Sequence, residues 1–247
     1  LDCTGNPALK VVNVWSGFKT REGFKFPEGV ELKEPEIPTP AGFTLVWNDE
    51  FEAEPASSGK WRFEDWRPGY VNNELQRYVA NGRLDGKKTA FVENGVLNIV
   101  AMQHNGQVIS ARMNTTKSWK YGYFEARIRL PKGKGTWPAF WMMPDDQSKG
   151  WPTCGEIDIM EEVGVNPNYT SSSIHCKAYN HPNNTQKTKE RYTKNAESEF
   201  HTYALEWDAD GMKFYVDGEH YANYTGMKSQ LVGDNFILGA QWQNGGM

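Results

Sequence analysis

From Phe43 onward, apolar and polar residues alternate in short runs. In Tyr121–Leu130, Phe124, Ala126, Ile128 and Leu130 fall on one face while Tyr123, Glu125, Arg127 and Arg129 fall on the other. Tyr203, Leu205 and Trp207 likewise share one face of His201–Trp207. A two-residue period marks strands with one side buried, and no stretch sustains helical periodicity over three turns. Between the runs lie Asn94-Gly95, Asn105-Gly106 and Asp217-Gly218. Both central residues of a type I′ turn need positive φ, so these dipeptides predict three tight hairpins. The pattern predicts an all-β chain built as a two-sheet sandwich, with no internal repeat.

Residues 1–42 differ. The stretch from Pro27 to Pro40 is rich in Pro and Glu and reads as an extended linker, and Val11-Val12-Asn13-Val14-Trp15 can form a strand before it. The expected organisation is an N-terminal extension over 1–42 and one domain over 43–247. A chain of 247 residues is long enough to bury a core without disulfides or metals.

Composition narrows the function. The formal net charge is −4 with Lys and Arg scattered, which gives no footprint for nucleic acid. No apolar run reaches the ~18 residues of a membrane span. The chain starts at Leu1 without an apolar leader and reads as a processed form, expected to act outside the cell, at its surface or in the periplasm as a monomer. Cys3 near this end raises the lipoprotein variant of that expectation, and the three cysteines, Cys154 and Cys176 included, read as buried thiols or one chance pair. Aromatic residues make up 13% of the chain, with ten Trp, and flat apolar rings suit stacking on sugar faces.

The candidate chemistry is concentrated in Cys154-Gly-Glu-Ile-Asp-Ile-Met-Glu-Glu-Val-Gly164. Glu156, Asp158, Glu161 and Glu162 fall within seven residues without one cation. Carboxylates side by side on a strand face raise at least one pKa. From spacing alone a catalytic pair, an acidic surface patch and a metal site all remain open. Glu156 and Glu161 are five apart and would face opposite sides of a regular strand. A one-residue bulge near Met160 would return Glu161 to the face of Glu156 and Asp158. His175 and His181 lack a clear third ligand for zinc, and Gly133-Lys-Gly135 precedes Trp-Pro instead of a helix, so it reads as a turn.

Gly155-Glu-Ile-Asp-Ile-Met-Glu161 resembles the active-site signature of glycoside hydrolase family 16 in its E-x-D-x-x-E form. Two further stretches match in order: Tyr121 through Trp141 resembles the strand pair that precedes that signature, and Asn72-Asn-Glu-Leu-Gln76 resembles a cleft segment of the bacterial laminarinase branch. The resemblance implies a β-jelly-roll with an open concave glycan cleft. It implies Glu156 as nucleophile, Glu161 as general acid/base and Asp158 as the residue that tunes the nucleophile. Trp137, Trp141, Arg112, Asn73, Glu74, His175 and Trp242 are the implied sugar contacts. The implied activity is retaining hydrolysis of β-1,3-glucan or mixed-linkage β-1,3-1,4-glucan, with no cofactor required. Galactan hydrolysis and a non-catalytic glycan-binding module on the same scaffold are the alternatives. Family members also often bind a structural calcium ion, and the Glu50 and Gly95 regions resemble part of that site. The closing strand that supplies its last Asp is expected to lie beyond Met247, which leaves calcium doubtful.

Overall fold

The computed structural model describes residues 5, 8, 10–13, 25–33, 36–225 and 236–243, with backbone only for 11–13 and 236–243. Eleven strands form two antiparallel sheets. They are β1 (Trp61–Phe63), β2 (Arg112–Trp119), β3 (Gly122–Ile128), β4 (Trp137–Pro144), β5 (Glu156–Glu162), β6 (Tyr169–His175), β7 (Lys187–Tyr192), β8 (His201–Trp207), β9 (Gly211–Val216), β10 (Glu219–Thr225) and β11 (Phe236–Gln243). The larger sheet runs β7-β6-β5-β4-β11-β2-β1 and the smaller runs β3-β8-β9-β10. Among the described residues there is no α-helix, and no helix is long and apolar enough to cross a membrane.

The period-2 residues meet between the sheets. Phe140 and Met142 of β4, Ile157, Ile159 and Met160 of β5 and Ile174 of β6 pack in one cluster with Phe124 of β3. Tyr203, Leu205 and Trp207 of β8 and Phe214 of β9 complete it from the smaller sheet. Burial of this size, at ~25 cal/mol per Å² of apolar surface, is what makes one-sided strands into a stable sandwich. The opposite face of the larger sheet, at its centre, carries Glu156, Trp137 and Arg112, each half-buried.

All three expected hairpins form. Asn94 and Gly95 have φ of 53° and 73°, and Glu93 pairs with Val96 across them. Asn105-Gly106 and Asp217-Gly218 close their hairpins with the same signs of φ. Asp85-Gly86, at φ 48° and 76° between Leu84 and Lys87, is a fourth of the kind. Inside the segment expected to be plain linker, Glu31–Lys33 pairs in parallel with Val11–Asn13. Val14 and Trp15 of the expected N-terminal strand lie outside the described residues.

Candidate active site

The central strand β5 carries the acids, and its irregularity decides where they point. Trp141 pairs with Asp158 and Phe140 with Met160, so Ile159 has no opposite residue on β4. On the other side Asp158 pairs with Ser173 and Glu161 with Ser171, leaving Ser172 against both Ile159 and Met160. Ser172 Oγ donates to the Ile159 carbonyl at 2.7 Å and so stabilises the extra residue. Ile159 and Met160, each 2% exposed, both enter the core. This is the bulge expected near Met160, and it returns Glu161 to the side of Glu156 and Asp158.

Glu162 leaves that side. It is 2% exposed, and Oε1 accepts the Asn168 N–H at 2.6 Å. Burial, then the neighbouring Glu197, outweigh that bond and push its pKa up to about 7. A carboxyl raised in the folded state holds its proton to higher pH than in the unfolded chain. Stability is therefore unaffected below the ordinary value near 4.5 and falls as pH rises towards 7. Glu162→Gln keeps the acceptor and removes the charge. It is expected to raise the melting temperature at pH 8 by roughly 5 °C, from about 2 kcal/mol, with no gain at pH 4.5. Equal melting curves at pH 8 would contradict this.

The three acids on the cleft side form one electrostatic unit. Asp158 is hydrogen-bonded to Glu156, and His175 Nε2 lies 3.2 Å from Asp158 Oδ2. Trp137 Nε1 donates to Glu161 Oε1 at 2.8 Å. Trp151 Nε1 donates to Glu156 Oε2. Burial pushes Glu156 well up, Asp158 adds to it, and His175 opposes. Burial and the Glu161 charge push Asp158 well up. Glu161 is raised by burial against the pull of the Trp137 N–H and His175. The three carboxyls therefore hold protons above the ordinary carboxyl range and titrate as a group.

The wall beside them is built around Arg112. Its guanidinium lies between the rings of Trp66 and Trp141, 4.3 and 4.6 Å from their centroids. Burial disfavours its cation, while the nearby charges of Glu64, Glu74 and Glu156 favour it. Trp141 faces the cleft side, 7% exposed, and its ring supports the Arg112 guanidinium. Glu74 is part of the same wall. It is 3% exposed and accepts from Tyr78 Oη at 2.6 Å, Gln76 Nε2 at 2.8 Å and Asn72 Nδ2 at 3.2 Å. Three donors within the loop hold Glu74 in the wall. Neighbouring Asn73 is exposed at φ 53°.

His175 pairs with Glu156 across β5 and β6 and belongs to the acid cluster itself. Trp242 places its backbone opposite Pro138 in the centre of the sheet, and its side chain lies outside the described residues. Cys154 and Cys176 are buried free thiols, and Cys3 lies outside the described residues. Among the described residues no three His, Cys, Asp or Glu side chains gather to hold a metal, and Glu50 and Gly95 are both exposed. Sequence reasoning missed Trp151, Trp66 and Tyr78. The nearest signal for Trp151 was an aromatic residue in a Gly- and Pro-bearing turn five positions before Glu156.

Two acids with separate donors, on a sheet face lined by indoles and a guanidinium, are the equipment that acid-assisted glycosidic cleavage requires. The sequence profile of glycosyl hydrolases family 16 matches residues 80–240, and the chain belongs to that family. It is 42% identical over 190 residues to a beta-glucanase of Rhodothermus marinus, covering 73% of this chain and 65% of the relative. A glucan endo-1,3-beta-glucosidase of Cryptopygus antarcticus is 36% identical over 213 residues, 82% of this chain and 75% of that protein. The X-ray structure of the Rhodothermus marinus laminarinase superposes with a TM-score of 0.75 at 38% identity, over 82% of this chain and 86% of that one. The fold is thus a β-jelly-roll of two antiparallel sheets. The chain spans just under two thirds of the length of the first of these relatives.

Proposed function

We propose that this chain is an endo-acting β-glucanase that cleaves β-1,3 linkages, in pure or mixed-linkage glucan, with retention of configuration. The observation that carries the reading is the bulge at Ile159 and Met160, which puts Glu156, Asp158 and Glu161 on one face of β5. Glu161, protonated, donates to the leaving glycosidic oxygen as Glu156 attacks the anomeric carbon and forms a glycosyl ester. Glu161, now ionised, takes a proton from the water that displaces Glu156. Asp158, bonded to Glu156 and beside His175, keeps the group's proton count matched to that cycle. Retention needs the two carboxyls ~5–5.5 Å apart, a separation within reach of same-face neighbours on a bulged strand. Arg112 and Trp137 offer donors and a ring to the bound sugars. Chemistry of this kind needs no cofactor, and the protein is proposed to work outside the cytoplasm as a monomer.

Incubation with laminarin, barley mixed-linkage glucan and agarose tests this. Rapid release of mixed oligosaccharides from a β-glucan, with the β-anomer appearing first by proton NMR, is the expected result. Activity on agarose alone would overturn the substrate. Binding without release from any polymer would overturn the enzyme in favour of a glycan-binding module.

A further inference from the structure

Trp151 is 43% exposed, too open for a residue whose work is to fill a core. Its indole N–H nevertheless donates to Oε2 of Glu156, and its ring centroid lies 5.8 Å from that of His175. The turn that carries it is closed on itself. Ser148 N donates to Asp146 Oδ1 at 2.9 Å, Gly150 N to the Gln147 carbonyl at 2.8 Å, Cys154 N to the Gly150 carbonyl at 2.9 Å and Gly155 N to the Pro152 carbonyl at 3.1 Å. Cys154, buried, pins the end of the turn directly before β5. The turn therefore aims the indole as a rigid arm.

We propose that Trp151 is a positioning residue for the nucleophile, fixing one oxygen of Glu156 and favouring its ionised form. This deepens the retaining mechanism proposed above and rests on it. An indole N–H can only donate, so it bonds strongly to a carboxylate and poorly to a protonated carboxyl's hydroxyl. The groups around Glu156 make such a donor valuable. Asp158 and Glu161 on its own strand disfavour its charge, while His175 from β6 and Arg112 from β2 favour it. Cys154 stands beside it, with its thiol held neutral by burial. Glu156 must be ionised to attack, and among the described residues the neutral donor aimed at it from outside the sheet is Trp151. Trp137 holds Glu161 in the same manner, so each of the two working carboxyls has its own indole.

The test replaces the N–H and keeps the ring. Trp151→Phe, and the isosteric replacement of Trp151 by 3-benzothienylalanine, are expected to lower kcat on the preferred glucan roughly 10- to 100-fold, with KM changed less than about threefold. The acid limb of kcat/KM should move to higher pH by roughly half a unit or more, because Glu156 then holds its proton longer. A rise in KM with the acid limb unmoved would overturn the proposal and leave Trp151 as a sugar platform only. A second measurement needs no variant at 151 and no activity. The indole N–H resonance of Trp151 should shift with pH in step with Glu156, and lose that step in Glu156→Gln. A resonance indifferent to both would overturn the proposal. If the wild type hydrolyses no glucan, the proposed function fails, and the resonance still decides whether Trp151 reads the charge on Glu156.

Discussion

Glu156→Gln is expected to abolish glucan hydrolysis by roughly four orders of magnitude, a barrier increase of about 5.5 kcal/mol, while leaving glucan binding intact. The amide is close in shape, can still accept the Trp151 N–H, and cannot form the glycosyl ester. Removing the charge should also relax the cluster. Asp158 and Glu161 lose a like-charged neighbour, so the loss must be chemical and not a failure to fold. Glu156→Ala with added azide adds a stereochemical check. Azide would occupy the vacated side and attack an activated β-glucoside from the α face, giving the α-glucosyl azide. Wild-type rates in Glu156→Gln, or a β-azide from Glu156→Ala, would remove Glu156 from the nucleophile's role.

The parts of this arrangement that could be read from sequence were those that depend on local chemistry. Asn94-Gly95, Asn105-Gly106 and Asp217-Gly218 specify positive φ at two successive residues, which tertiary structure seldom overrides. The bulge followed from parity: with Ile157 and Ile159 in the core, only an extra residue could bring Glu161 round to Glu156. The structure adds that Met160 enters the core beside Ile159, so the same slip that aligns the acids also buries a second large side chain. The burial of Glu74 was not legible because its neighbours are polar in sequence. Its burial depends on Tyr78 and Gln76 folding back on it, which spacing does not encode. The sandwich of Arg112 between Trp66 and Trp141 joins residues from distant segments for the same reason. Trp151 was invisible because a turn carries no periodicity, and its value comes only from which atom it faces.

Glu161→Ala should separate the two chemical steps that the proposed mechanism assigns to one residue. On polymeric glucan the leaving sugar oxygen needs a proton, so kcat/KM should fall roughly 10²- to 10⁴-fold. An aryl glucoside with an acidic phenol needs little protonation, so its first step should proceed at close to the wild-type rate. The ester on Glu156 would then accumulate, because no base remains to activate water. Azide, which needs no base, should release it from the opposite face as the β-glucosyl azide. The pH profile carries the same information. In the wild type, burial holds the Glu161 proton above the ordinary carboxyl range, and activity on polymer is lost as pH rises through its titration. That alkaline limb should vanish from the first step of Glu161→Ala on the aryl substrate, while the acid limb set by Glu156 persists. Equal losses on polymer and aryl glucoside would mean that Glu161 only shapes the site. The Trp137 N–H now bonded to it would then have to be explained as packing, since a donor there opposes the protonated form that acid catalysis needs. The mechanism requires that burial win this contest in the free enzyme and that Trp137 win it once the proton has gone to the leaving oxygen. A single carboxyl can then serve as acid in one step and base in the next.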